Sequence, residues 1–117
     1  QFKAGKLLMF DNGAESEKWY TKAADKGHLA AQNNLGYMYE RGMGSSMWGD
    51  KEKAYKYYLM AAKQGSGVAQ RNVCLYHWKG MGGAKKSSRI AKEWCQKAVD
   101  GGYVKASSLL ERVSQDF

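Results

Sequence analysis

Apolar residues recur along this chain at intervals of three and four, the period of helices with one buried face. One stripe holds Ala31, Leu35, Met38 and Tyr39, between Gly27-His28 and Gly42-Met43-Gly44. A second opens at Asp50, where a carboxylate suits an N-cap, and carries Ala54, Tyr57, Tyr58, Ala61 and Ala62 as far as Gly65-Ser66-Gly67. A third holds Ala69, Val73, Tyr76 and His77 and stops at Gly80-Met81-Gly82-Gly83. Ser87 or Ser88 caps a fourth, with Ala91, Trp94, Cys95 and Ala98, ended by Gly101-Gly102. Val104 to Val113 forms the last helix. Upstream, Lys3–Phe10 and Glu15–Lys26 make another pair around a tight turn at Asp11-Asn12-Gly13. Leu7-Leu8-Met9-Phe10 is far too short to cross a bilayer and reads as core.

The stripes are copies of one another. Lys22-Ala23-Ala24-Asp25-Lys26-Gly27 returns as Met60-Ala61-Ala62-Lys63-Gln64-Gly65 and again as Lys97-Ala98-Val99-Asp100-Gly101-Gly102, at spacings of 38 and 37 residues. Trp19, Tyr57 and Trp94 keep step, as do Ala31, Ala69 and Ala106, and Leu35, Val73 and Leu110. Such a period marks a repeat array whose units bury their apolar faces by stacking. Alanines 54, 61 and 91 let helix axes approach closely, and the aromatics a turn away fill the wider gaps. The fold class is all-α, with about six helices in antiparallel pairs. One domain spans 1–117, with pairs at roughly 3–26, 29–64 and 68–100 and a terminal helix at 104–115.

Leu35-Gly36-x-x-Tyr39 followed by Ala54-x-x-x-Tyr58 resembles the tetratricopeptide signature, at a longer period. With the Gly-x-Gly hairpin loop and Ala-x-x-Trp/Tyr-x-x-x-Ala-Ala-x-x-Gly in the second helix, the chain resembles the Sel-one-like repeat family over about residues 14 to 110. It departs at Ser45 and Gly83, where the family usually has Val, and at His77 and Ser114, where it has a helix-A tyrosine. The resemblance implies a right-handed α-α superhelix whose inner surface holds a partner protein or peptide. It also implies a bacterial setting, periplasmic or secreted in many members.

Charge sharpens that expectation. Lys and Arg number 19 against 11 Asp and Glu, a net charge of +8, which favours an acidic partner. There are 14 Gly and no Pro, as suits helical hairpins stopped by glycine. No apolar run is long enough to span a membrane. The start at Gln1 is that of a fragment or of a mature form without its leader.

Helical spacing places Asn33, Tyr37, Glu40 and Arg41 on the inner face of the first full unit. Arg71, Leu75, Trp78 and Lys79 take those positions in the second, and Lys105, Ser108, Arg112 and Gln115 in the third. Arginine mixed with aromatics suits a groove for an acidic peptide or loop. Met43, Met47, Trp48 and Met81, in the hairpin loops, either form a secondary surface or fold back over their own helices. The last helix has no partner after it, so its flank is a cap, an open end, or a surface for self-association.

Cys74 stands where the preceding unit has Gly36, and Cys95 where it has Tyr58. A minimal residue facing a ring thus becomes two medium side chains, as a disulfide across the helix pair requires. That bond would place the protein in an oxidising compartment, periplasmic or secreted; two free thiols would place it in the cytoplasm.

Signals for chemistry are weak. Cys74-x-x-His77 offers two metal ligands and no second pair. Gly80-Met81-Gly82-Gly83-Ala84-Lys85-Lys86-Ser87 lacks the order of a phosphate loop and follows a helix. No nucleophile has a base at hand, and no cofactor is expected. The expected function is a non-catalytic protein-interaction module with a basic concave face, serving as an adaptor or as an effector-neutralising immunity protein. Two alternatives stand beside it: a β-lactam-binding or hydrolysing enzyme of the cysteine-rich repeat type, and a nucleic-acid binder.

Overall fold

The computed structural model describes residues 13–42 and 49–116. The predicted helix over 3–10 and the loop residues Met43, Met47 and Trp48 lie outside them. Six α-helices follow in order: α1 (Gly13–Asp25), α2 (Leu29–Arg41), α3 (Lys51–Lys63), α4 (Gly67–Lys79), α5 (Ser88–Asp100) and α6 (Ser107–Ser114). No strand occurs among the described residues, and each helix packs on the next. The result is an all-α solenoid of helix pairs.

Both caps expected from the sequence are side-chain caps on the helices as predicted. The Asp50 carboxylate accepts from the Lys53 amide at 3.0 Å, and Ser87, not Ser88, accepts from the Ile90 amide at 3.1 Å. Ser66 caps α4 in the same way. The expected helix beginning at Val104 starts instead as a 3-10 turn, Val104–Ala106, with α6 regular only from Ser107. Tyr103, at the place of Ser66, makes no side-chain cap, and the chain enters the helix through this tighter turn. Gly13, expected in a turn, is the first residue of α1.

The joint between units is repeated three times. His28, Ser66 and Tyr103 each donate a backbone amide to the carbonyl five residues back, on Ala23, Ala61 and Ala98, at 3.1, 3.1 and 2.9 Å. The closing residue before each is Gly27, Gly65 or Gly102, at φ of 90°, 100° and 99°, a left-handed conformation that glycine adopts without strain. A second link is made by buried glutamines. Gln32 donates to the Ala24 carbonyl and Gln70 to the Ala62 carbonyl, both at 3.1 Å, tying the start of one unit to the end of the last. Gln64 adds a bond to Gln32 at 2.7 Å and another to the Gly27 carbonyl at 3.2 Å.

The apolar core is continuous from α1 to α4 and holds Tyr20, Leu35, Met38, Tyr57, Tyr58, Val73 and Tyr76. Alanines 54, 61 and 91 are fully buried at helix crossings. A smaller cluster of Cys74, Ala91, Cys95, Leu109 and Val113 joins α4, α5 and α6. Within the α2–α3 pair Gly36 lies against the face of Tyr58, so close that a Cβ at Gly36 would sit 2.5 Å from the ring. In the next pair the same place is taken by a disulfide, Cys74–Cys95, with Cα atoms 5.4 Å apart.

Two outcomes follow from this packing. Gly36→Ala gains about 1 kcal/mol of helix propensity but overpacks the Tyr58 ring by about 2–3, so urea unfolding should show a net loss of about 1–2 kcal/mol. The Cys74–Cys95 bond closes a sequence separation of 21, worth about 3 kcal/mol in a chain-entropy view. Cys74→Ser/Cys95→Ser should lower the unfolding free energy by about that amount. Alkylation of the unreduced, denatured native protein should leave its mass unchanged.

Candidate partner-binding face

The residues expected on the inner face lie along the stripe of α2 and α4 beside the core. In α2, Ala31, Gln32, Leu35, Met38 and Tyr39 are buried, whereas Asn33, Tyr37, Glu40 and Arg41 form the row beside them. One repeat on, the row is Arg71, Leu75, Trp78 and Lys79, and on α6 it is Ser108, Arg112 and Gln115. Lys105, in the 3-10 turn ahead of α6, is exposed.

Three of the residues expected to meet a partner are engaged inside the chain. The Asn33 amide donates to the Ser66 hydroxyl at 3.1 Å, which links α2 to the start of α4. The Glu40 carboxylate accepts from the Tyr58 hydroxyl at 2.9 Å. Burial, and then the nearby Glu40 carboxylate, disfavour a charge on Tyr76, although no hydrogen bond closes between the two side chains. The Trp78 indole donates to the Asp116 carboxylate, which the Ser88 hydroxyl also approaches at 3.4 Å. Trp78 thus packs the C-terminal helix in place, with Leu75 and Leu110. Asp116 and Ser66 have no signal of their own in sequence: each acts through a neighbour some 30 to 40 residues away.

What remains outward is cationic and aromatic. The Arg41 guanidinium lies 5.2 Å from the centroid of Tyr37, a ring 45% exposed. Stacking holds that guanidinium in place while leaving its edge donors free. Arg71, half-buried, and Arg112, Lys79 and Lys105, exposed, have no ion pair among the described residues, where Arg89–Glu93 on α5 is the one salt bridge. Of the four described arginines, the three outside that bridge all lie on this face.

The rest of the titratable chemistry is structural. His77 stands where Tyr39 stands in the preceding unit. One of its ring nitrogens meets the Tyr55 hydroxyl and the other the Lys85 carbonyl, each at 2.8 Å. Tyr39 donates to Glu17 at 2.6 Å. Among the described residues no group of three His, Cys, Asp or Glu side chains could hold a metal ion. No described helix is long and apolar enough to cross a membrane. Along the outer side of α5, Arg89, Lys92, Glu93, Gln96, Lys97 and Asp100 line an open groove of about 550 Å³.

Similarity to known proteins bears on the repeat and the fold. The family model of the Sel1 repeat matches residues 1–28, 29–66 and 67–103. The second and third matches bracket α2–α3 and α4–α5. A solved Sel1 repeat protein from Oxalobacter formigenes is similar over 93% of this chain, at 30% identity and a TM-score of 0.84. A protective antigen of uropathogenic Escherichia coli strains, which displays an SLR fold, is similar over 90%, at 33% identity and a TM-score of 0.80. The match covers 46% of the first of those chains and 23% of the second. This chain therefore spans less than half of the solved structures it matches. No curated protein matches it.

Buried phenols give the site a pH signature. Burial, and then the Glu40 carboxylate, push Tyr58 well above the ordinary phenol value, and burial with Glu17 does the same for Tyr39. The folded state therefore holds these protons more tightly than the unfolded chain does. Their contribution is complete below about pH 10 and is lost as pH climbs past it. Urea midpoints should hold constant to about pH 9 and fall above about pH 10. Phenolate absorbance from these rings should appear together with unfolding, not before it.

Proposed function

The chain belongs to the Sel1 repeat family, and from that premise we propose that its arginine-bearing concave face holds an acidic segment of a partner protein. Sel1 repeat proteins are generally protein-interaction modules, and their fold is typically a non-catalytic scaffold. What carries the finer reading is the row of unpaired cations, Arg71 and Arg112, beside the Arg41–Tyr37 stack. A guanidinium offers two parallel donors to one carboxylate, so three of them along a groove favour Asp- or Glu-rich chains over neutral ones. Lys79 and Lys105 extend the same field. An adaptor and an effector-neutralising immunity protein are the roles that fit this mode of binding, by analogy of fold. The Cys74–Cys95 bond supports a periplasmic or secreted location.

Capture from an extract of the source organism tests the face directly. Native protein and the variant Arg71→Glu/Arg112→Glu serve as parallel baits. A partner should be retained by the native bait and bound at least about tenfold more weakly by the variant, with the native complex weakened by salt. Equal retention by both baits would remove the concave face as the site.

A further inference from the structure

The net charge of this chain is not spread along it. Between Glu52 and Glu93 lie 40 residues with nine Lys and Arg and not one Asp or Glu. The rest of the chain holds the remaining 10 of 19 cations and all 11 acids, a balance of −1. The whole net charge of +8 therefore belongs to the middle of the solenoid.

Part of that charge is gathered on one edge, at the hairpin loop between α4 and α5. Lys79 ends α4, and Lys85 and Lys86 lie in the loop; Lys51, just ahead of the acid-free stretch, begins α3 beside them, and all four are exposed. Close backbone contacts bring these segments together. A Cβ at Gly82 would collide with the Lys51 carbonyl, and one at Gly80 would lie 2.9 Å from the Lys86 Cβ. The loop is pinned from within. Met81 donates to the Tyr76 carbonyl, Ala84 to that of Met81 and Ser87 to that of His77, each at 2.9 Å. The His77 ring bonds the Lys85 carbonyl at 2.8 Å, and Ala84 and Met81 pack on the core. Apolar side chains of the loop are turned inward and its glycines add none, so lysines dominate what faces water. Asp50 spends its carboxylate on capping α3, which leaves Glu52 as the exposed acid nearby.

We propose that this lysine edge is a second interaction surface, one that seats the solenoid on a membrane rich in anionic phospholipid. The chemistry of the edge selects that partner over others. Lysine is a compact, strongly hydrated charge on a flexible stem, suited to a plane of headgroups, whereas the guanidiniums suited to paired carboxylates lie on the concave face. A strand of nucleic acid would need bases stacked on aromatics, and the exposed aromatic among the described residues is Tyr37, on the other surface. A row of exposed lysines along one edge meets a plane more readily than it encloses a peptide. Lys79, at the end of α4, borders both surfaces, but Lys51, Lys85 and Lys86 belong to the edge alone and the three arginines to the groove alone, so a membrane-seated solenoid keeps its groove open to a partner.

Vesicle co-sedimentation decides the matter, with phosphatidylcholine alone and with about a third phosphatidylglycerol, a fraction that gives a strong surface potential. The native protein should sediment with the anionic vesicles only, and high salt should release it. Lys51→Gln/Lys85→Gln/Lys86→Gln should bind at least about tenfold more weakly, with Lys85→Gln/Lys86→Gln intermediate and both retaining native helical circular dichroism. Arg71→Glu/Arg112→Glu should lose much less, which separates this surface from the concave one. Failure of the native protein to bind, or unchanged binding by both lysine variants, would overturn the proposal. So would binding to duplex DNA but not to vesicles.

Discussion

The close approach of paired helices is the constraint on which the rest depends. In the α2–α3 pair it is met by a glycine set against the face of a tyrosine, and in the α4–α5 pair by a covalent bond between two half-sized side chains. Both solutions keep the sum of the facing volumes within what a tight crossing allows. That crossing is on one side of each first helix, and the row beside it is only partly taken up: Asn33, Glu40 and Trp78 are bonded within the chain, whereas Arg41 and Arg71 are left with room to vary.

The same constraint explains why polar groups sit so deep in so small a chain. Stacked units have helix ends facing one another, and the last carbonyls of one helix would be stranded without donors. Gln32 and Gln70 meet that need at equivalent places, and their burial costs little because both ends of the bond are satisfied. At the equivalent place in α6 the chain has Ser107, exposed to solvent, and the position equivalent to Gly36 and Cys74 is Glu111, also exposed. The face that earlier helices bury against their own chain is polar on this one.

Much of the architecture was legible from apolar spacing alone. Helices α2 to α5, the cap at Asp50 and the Cys74–Cys95 pairing all follow from residues that announce their surroundings by size or period. The start of α6 did not, because Val104 continues an apolar pattern while the missing cap at position 103 is a negative signal. The glutamine links were hidden for another reason: Gln is commonplace on exposed helix faces, and only its carbonyl partner reveals it as buried. On the candidate face, helical spacing identified the row but not its bonds. Glu40 and Trp78 look available in one dimension, and it takes Tyr58 of α3 and Asp116, in the turn after α6, to engage them.

The division of cations between two surfaces has a consequence for how they act together. All the net charge arises in the middle of the solenoid, so its long-range field draws anions toward that region as a whole, before any contact is made. Selection then falls to short-range chemistry, where arginine and lysine differ. The three guanidiniums of the proposed face have directional donors, one of them held against Tyr37, and would reward a correctly spaced carboxylate. The edge lysines have no such geometry and reward density of charge. Salt should therefore weaken approach to both surfaces alike, but discriminate between their ligands far less than a change of ligand shape does. A field shared by two surfaces with different short-range chemistry lets one small basic array meet two kinds of anion without confusing them.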